Sequence, residues 1–357
     1  MVTGLWAMPD FAAHWMTLRT ISSLTLAAWR FLPPLASLSP TNMLDPAGTP
    51  ARSIFNLTWF VGGLVLGIFV VVGGLLTFIV LRYRGRATDD NIEPTQIYGS
   101  NQIELSWTVI PILLVFMLFL TTARVILGTE RIPKPAGALD VAVIGHQFWW
   151  EYRYPSLGVV TANELHVPVS DPAHPTPTYL NTSSADVTHN FSVPRLAGRI
   201  DVIPNRVNTI WIDPQAAGLY LGQCAQYCGT QHAKMLLRVY ADSPADFSAW
   251  IQHQQAPAAD PSTLSPQQLE GKSVFEHNAC ANCHTVKGTS AQGKFGPDLT
   301  HMGSRDTLGS GAFANNRQNL HQWIDNPDSL KPGALMPPMH LNEKDLNAVT
   351  EYLTTLR

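Results

Sequence analysis

The sequence predicts a membrane protein built of several parts: a two-helix transmembrane hairpin, an all-β sandwich and a small all-α domain. Three observations predict it. Two long uncharged apolar runs lie in the first third of the chain. Short runs rich in Val, Ile, Tyr and Trp, punctuated by Pro, Gly, Asn and Asp, fill the middle, and the C-terminal part changes to a helical period. Composition agrees, since 14% of the 357 residues are charged and 45% are apolar, against roughly 25% charged in soluble domains. The net charge of -3, with no basic run, offers no field for a phosphate backbone, which argues against nucleic acid as a partner.

Residues 1–50 read as a leader or possible signal segment, in which Arg19 precedes the short apolar stretch ISSLTLAA and PPLASLS offers a small-residue cleavage region. An unprocessed leader explains the same features. Residues 51–128 hold the hairpin. The run at 57–81 is uncharged over 25 positions and the run at 105–123 over 19, each long enough to cross a hydrocarbon core of roughly 30 Å, with Pro111 expected near a helix start. Arg82, Arg84 and Arg86 favour a cytoplasmic loop, while Arg52, Arg124 and Lys134 weaken that count. The β domain is assigned to 129–253 and reads as antiparallel. The Gln/Ala/Pro stretch 254–264 reads as an extended linker, and the helical domain occupies 265–357. There Ser265, Pro266 and Gln268 make a capping box. Leu346, Val349, Leu353 and Leu356 share one helix face after an Asn342 cap.

All four cysteines fall in two motifs, which leaves none for a structural disulfide. In CAQYCGTQHAKM, Cys224, Cys228, His232 and Met235 recur at i, i+4, i+8 and i+11 between two expected strands. Thiolates, imidazole and a thioether select copper over hard cations, and two thiolates are close enough to bridge a pair of metal ions. A further histidine is needed, and His189 at the end of an earlier strand is the best candidate. The plain alternatives are a structural zinc site and core packing by Met235, although zinc has no need of a thioether. His166 and the aromatic run at 148–150 and 152 read as sheet residues.

The second motif, CANCH, is a haem c attachment signature: Cys280 and Cys283 for the thioether bonds, His284 for the proximal ligand. Downstream, LKPGALMPPMHL sets Met336 in a proline-braced loop 52 residues on, as the distal ligand, with Met339 and Met302 as competitors. A zinc or thiol-redox use of the two cysteines is the alternative.

With these motifs, and with LDPAGTPA, IELSWTVIP, GHQFWWEYRYP, NELHVPV and DVTHNFSVPRLAGRIDVIPN, the chain resembles cytochrome c oxidase subunit II with a fused C-terminal cytochrome c domain, over residues 44–357. The resemblance implies a cupredoxin domain holding binuclear copper A, with Cys224 and Cys228 bridging. His189 and His232 would bind one copper each, with Met235 and the carbonyl of Gln226 as weak ligands. It also implies a class I cytochrome c domain and a bacterial inner membrane location with both redox domains facing the periplasm. The implied partners are the catalytic subunit I, further oxidase subunits, and a cytochrome c or quinol-oxidising complex as donor. Oxygen reduction and proton translocation would lie in the partner subunits. Two positions depart from the family's common pattern. Gln226 stands where many members have Glu, which leaves magnesium open. Phe148 stands where many carry an electron-accepting Trp, for which Trp149 and Trp150 are alternatives. Glu104, at the start of the second span, matches a glutamate near a proton path in the family, and equally suits a helix N-terminus. A copper-A nitric-oxide reductase subunit and a membrane-tethered copper carrier are the rival functions.

Overall fold

The structure, a computed structural model, describes residues 41–84, 95–96, 98–130, 134–172, 175–258 and 260–357. The expected signal features before residue 41, and Arg86, lie outside the described residues.

Two long helices come first, α1 (Thr49–Tyr83) and α2 (Asn101–Glu130). No residue of α2 is buried, and in α1 only Pro50 and Ala51 are. Helices that present apolar side chains all round belong in lipid or against other spans, where each helix satisfies its own backbone. Both helices overrun the apolar stretches. Glu104 falls in the first turn of α2, so that helix starts with a polar turn and Pro111 stands in its interior. The helix α1 begins early because the β domain caps it. Asp213 accepts from Thr49 N at 2.7 Å and from the Thr49 hydroxyl, placing a carboxylate at the positive helix end. The residues just before are bound to the same domain: Ala47 N donates to Arg195 O at 2.7 Å, and Arg195 pairs with Asp45 at 2.6 Å. The end of the expected leader is thus the foot of the β domain.

That domain is a sandwich of two five-stranded sheets. Its strands are β1 (Asp140–His146), β2 (Trp149–Tyr154), β3 (Val159–Ala162), β4 (Glu164–Pro168), β5 (Thr178–Ser184), β6 (His189–Ser192), β7 (Arg199–Val202), β8 (Asn208–Ile212), β9 (Gly218–Cys224) and β10 (Leu236–Asp242). The sheet orders are β3-β2-β1-β5-β8 and β4-β10-β9-β6-β7. Alternate residues of β1 and β10 face the core, as the period of two requires. Within the aromatic run, Trp150 and Tyr152 are fully buried in that core. The expectation of a purely antiparallel sandwich fails at two pairs, since β1 runs parallel to β5 and β4 to β10. Parallel neighbours need long crossovers, and here the intervening strands β2–β4 and β5–β9 supply them.

Helix α3 (Pro244–Gln255), capped by Ser243, lays Ile251 against the sandwich. At the start of the segment expected as an extended linker, Gln254 O accepts from Lys287 Nζ, and Ala256 O faces His301 Nε2 at 3.1 Å. The C-terminal domain then contains α4 (Pro266–His277), α5 (Cys280–Cys283), α6 (Arg317–Asp325), α7 (Pro327–Leu330) and α8 (Glu343–Thr355), with a small ladder of β11 (Thr307–Leu308) on β12 (Phe313–Ala314). Ser265 and Gln268 form the capping box of α4, and Leu346, Val349, Leu353 and Leu356 are buried together. Helices α4 and α8 cross at Gly271, where an added Cβ would lie 1.9 Å from Ala348 O. Substituting Gly271→Ala is expected to force the helices apart and cost about 1–3 kcal/mol. A denaturant titration followed through the C-terminal domain should show the midpoint fall.

Candidate metal centre and haem site

The first site sits where β9 hands over to β10. Cys224 N donates to Met235 O at 2.9 Å, which closes the intervening loop and sets Cys224 beside Met235. Inside the loop, Cys228 Sγ lies 3.9 Å from Cys224 Sγ, 3.9 Å from Met235 Sδ and 3.8 Å from His232 Nδ1. The Cys224 thiol reaches Gln226 O at 3.2 Å. His189 comes from β6, where the register of Phe191 on Cys224 brings the strand end over the loop. The ligand atoms of His189, Cys224 and Cys228 all lie within 4.8 Å of one another. All six residues expected from the sequence are therefore brought together: His189, Cys224, Gln226, Cys228, His232 and Met235.

The donors fit a soft metal. His189 Nδ1 is buried without a hydrogen-bond partner, and its Nε2 meets Asp186 Oδ1 at 2.8 Å, an arrangement that leaves Nδ1 as the ligand atom. Burial opposes charge on both groups of that pair, but the bond wins, raising His189 and lowering Asp186 from their ordinary values. Burial also pushes both thiols up. At Cys224, the neighbouring His189 imidazole and the Asn190 and Gln226 backbone outweigh it and bring the thiol down, whereas Cys228, next to Cys224, stays high. A cation between the sulfurs releases that conflict, because it favours the thiolate on both. His189 and Met235 are 0% exposed, whereas His232 is half-buried and Gln226 exposed.

The second site is a cavity of about 240 Å³, bounded by Cys280, Cys283, His284, Met336 and Met339 on one side and Phe148 of the sandwich on the other. His284 Nδ1 is 2.8 Å from Pro297 O, which fixes the tautomer and frees Nε2 for a metal. Burial holds the imidazole below its ordinary pKa, against that hydrogen bond, and so keeps it neutral. Gly296 makes the close approach possible, as a Cβ there would fall 2.5 Å from the His284 ring. Met336 and His284 share the cavity. The competitors Met302 and Met339 line the same cavity; Met302 is 2% exposed, and Asn315 Nδ2 approaches its sulfur at 3.8 Å. Two free cysteines, a neutral imidazole and a thioether around an apolar cavity suit a covalent haem.

Comparisons with known proteins show the family. The family models described as cytochrome C oxidase subunit II, transmembrane domain, cytochrome C oxidase subunit II, periplasmic domain, and cytochrome c match residues 38–125, 172–241 and 249–357. Cytochrome c oxidase subunit 2 of Alkalihalophilus pseudofirmus is 34% identical over 88% of this chain and 90% of its own length. The chain belongs to the cytochrome c oxidase subunit II family. The subunit 2 of Bacillus sp. strain PS3 is 31% identical over 88% of this chain and 91% of its own. A solved periplasmic domain of subunit II from Bradyrhizobium japonicum is 27% identical, covers 34% of this chain and 97% of that one, and has a TM-score of 0.32. This subunit II chain is thus part of a haem-copper oxidase complex, anchored in the membrane, with a cytochrome c domain fused at its C-terminus. The expected cupredoxin and cytochrome c fold classes stand.

Other expected residues have structural partners. His166 is stacked between Tyr240 and Trp250 and bonded to Asp242, so it belongs to the sheet. Sequence reading missed Asp186, whose only signal is its place three residues before His189, and Gln147, whose amide donates to Cys228 O at 2.6 Å. Two outcomes follow. Asp186→Ala should weaken copper binding about 10–100-fold by freeing the His189 ring, as read by competition with a chelator. As the distal ligand expected from the sequence, Met336 is tested by Met336→Leu, which should keep the haem covalently attached but change its low-spin spectrum and lower its potential.

Proposed function

We propose that this chain is the subunit through which electrons enter a terminal haem-copper oxidase. The carrying observation is that the orphaned Nδ1 of His189 and the thiols of Cys224 and Cys228 lie within 4.8 Å of one another, with Gln226 O beside Cys224 and with His232 and Met235 beside Cys228. Bound in these sites, a covalent haem c and a copper pair supply one-electron relay chemistry between a donor and a catalytic subunit that reduces oxygen. Cys224 and Cys228 would bridge the coppers, with His189 and His232 as terminal ligands and Met235 and the Gln226 carbonyl as weak ones. Cys280 and Cys283 would attach the haem, with His284 and Met336 as its axial ligands.

Attachment of a c-type haem puts both redox domains on the periplasmic side of a bacterial inner membrane, with the loop after Arg82 and Arg84 in the cytoplasm. The subunit I partner would pack on the exposed apolar faces of α1 and α2. A cytochrome c or a quinol-oxidising complex is the donor class. Full-length relatives carry the oxidase name, which favours oxygen over nitric oxide as the acceptor. Burial of His189, Cys224 and Met235 speaks against a copper carrier, which needs an exchangeable site. A buried thioether speaks against structural zinc.

The test is turnover of the intact oxidase carrying Cys224→Ser. The account expects oxygen consumption to fall to background while haem c stays attached and reducible by donor. Turnover equal to wild type would contradict the ligand assignment.

A further inference from the structure

The two sites face one another across a domain interface bonded through side chains that neither site uses as a ligand. Gln231 lies in the copper loop, beside His232, and is 3% exposed. Its amide donates at 2.7 Å to Lys331 O and at 3.1 Å to Pro332 O, at the head of the loop that carries Met336. The Lys331 side chain answers in the opposite direction. Its ammonium, in a residue 2% exposed, donates at 3.3 Å to Phe148 O of the sandwich and at 2.8 Å to Gly309 O of its own domain. The loops also touch directly, since a Cβ on Gly333 would fall 2.6 Å from the Thr230 hydroxyl. Gly333 has a φ of +84°, a turn that glycine takes freely.

Around this exchange the interface is closed by further bonds. Glu164, 4% exposed, accepts from Asp306 N, from Thr307 N at 2.9 Å and from the Thr307 hydroxyl at 2.8 Å. Leu236 N donates to Ser310 O at 3.1 Å, and Tyr240 donates to Asp306 at 2.6 Å. Burial, with Lys234 nearby, pushes the Lys331 ammonium down to about 7 despite Cys228. A contact made only in passing would leave such groups to water. Buried polar groups that lose their partners upon separation make separation costly.

We propose that Gln231 and Lys331 are positioning residues for electron transfer, lashing the loop of Met336 to the loop of Cys228 and His232 so that haem and copper keep one fixed separation. This rests on the function proposed above. On this reading the cytochrome domain does not swing on its linker. It is a fixed layer over Gln147, Phe148 and Trp149, and a soluble donor reaches the copper only through the haem.

The experiment uses the full oxidase complex with Gln231→Leu and Lys331→Met, each of which removes the donor at similar length. Haem and copper spectra of the wild type come first; their absence would refute the proposed function itself and is thereby separated from the present idea. Two readouts follow in the variants. The amides of Leu236, Asp306 and Thr307, each bonded across the interface, should exchange hydrogen about tenfold faster or more. The haem-to-copper transfer rate after rapid haem reduction should fall at least about tenfold, with both potentials unchanged. Faster exchange with an unchanged transfer rate would overturn the positioning role, as would wild-type values for both. Should Lys331→Met fail to retain haem, Gln231→Leu, which lies on the other domain, decides the matter by the same readouts.

Discussion

The bond from Cys224 N to Met235 O is the constraint on which the copper site depends. It closes the loop between two neighbouring strands, so two donors sit at the loop's base and the others project from its turn. A 3₁₀ turn at His232–Lys234 brings His232 back toward Cys228, and β6 supplies His189 from the adjacent strand. The sandwich core holds the strands, and the strands hold the loop and its donors.

The haem site follows the same logic with helices. Helices α4 and α8 cross at Gly271, the short helix α5 carries the two cysteines, and the Met336 loop closes the far side. Each domain thus builds one site from one kind of periodicity. What neither domain builds alone is the wall between them, where Phe148 bounds the haem cavity and Gln147 bonds to the Cys228 carbonyl. Adjacent backbone positions therefore touch both sites. The chain's own cytochrome domain covers Phe148, whose carbonyl accepts from Lys331 Nζ.

Much of this was legible in the sequence because its signals are local. Uncharged runs, the capping box at Ser265, the cysteine spacings and the proline-braced Met336 each declare themselves within a few residues. His189 was reached from its place at a strand end. The unread parts depend on contacts between distant residues. No pattern announces that Asp213 caps α1 at Thr49, and so the helix starts earlier than the apolar run. The parallel pairing of β1 with β5 is a property of the whole sandwich. Glu164, Gln231 and Lys331 look like ordinary surface residues in the sequence and are buried only because two domains meet over them. The two-residue strands β11 and β12 are too short to show a period.

The most direct measurement of the central claim is a joint metal analysis and paramagnetic-resonance spectrum of the purified full-length chain, with haem quantified on the same sample. The account predicts two coppers and one low-spin covalent haem per chain, and a copper signal whose hyperfine pattern shows one unpaired electron shared equally between two nuclei. A single copper with an unshared electron, or zinc in its place, would contradict the assignment of Cys224 and Cys228 as bridging ligands.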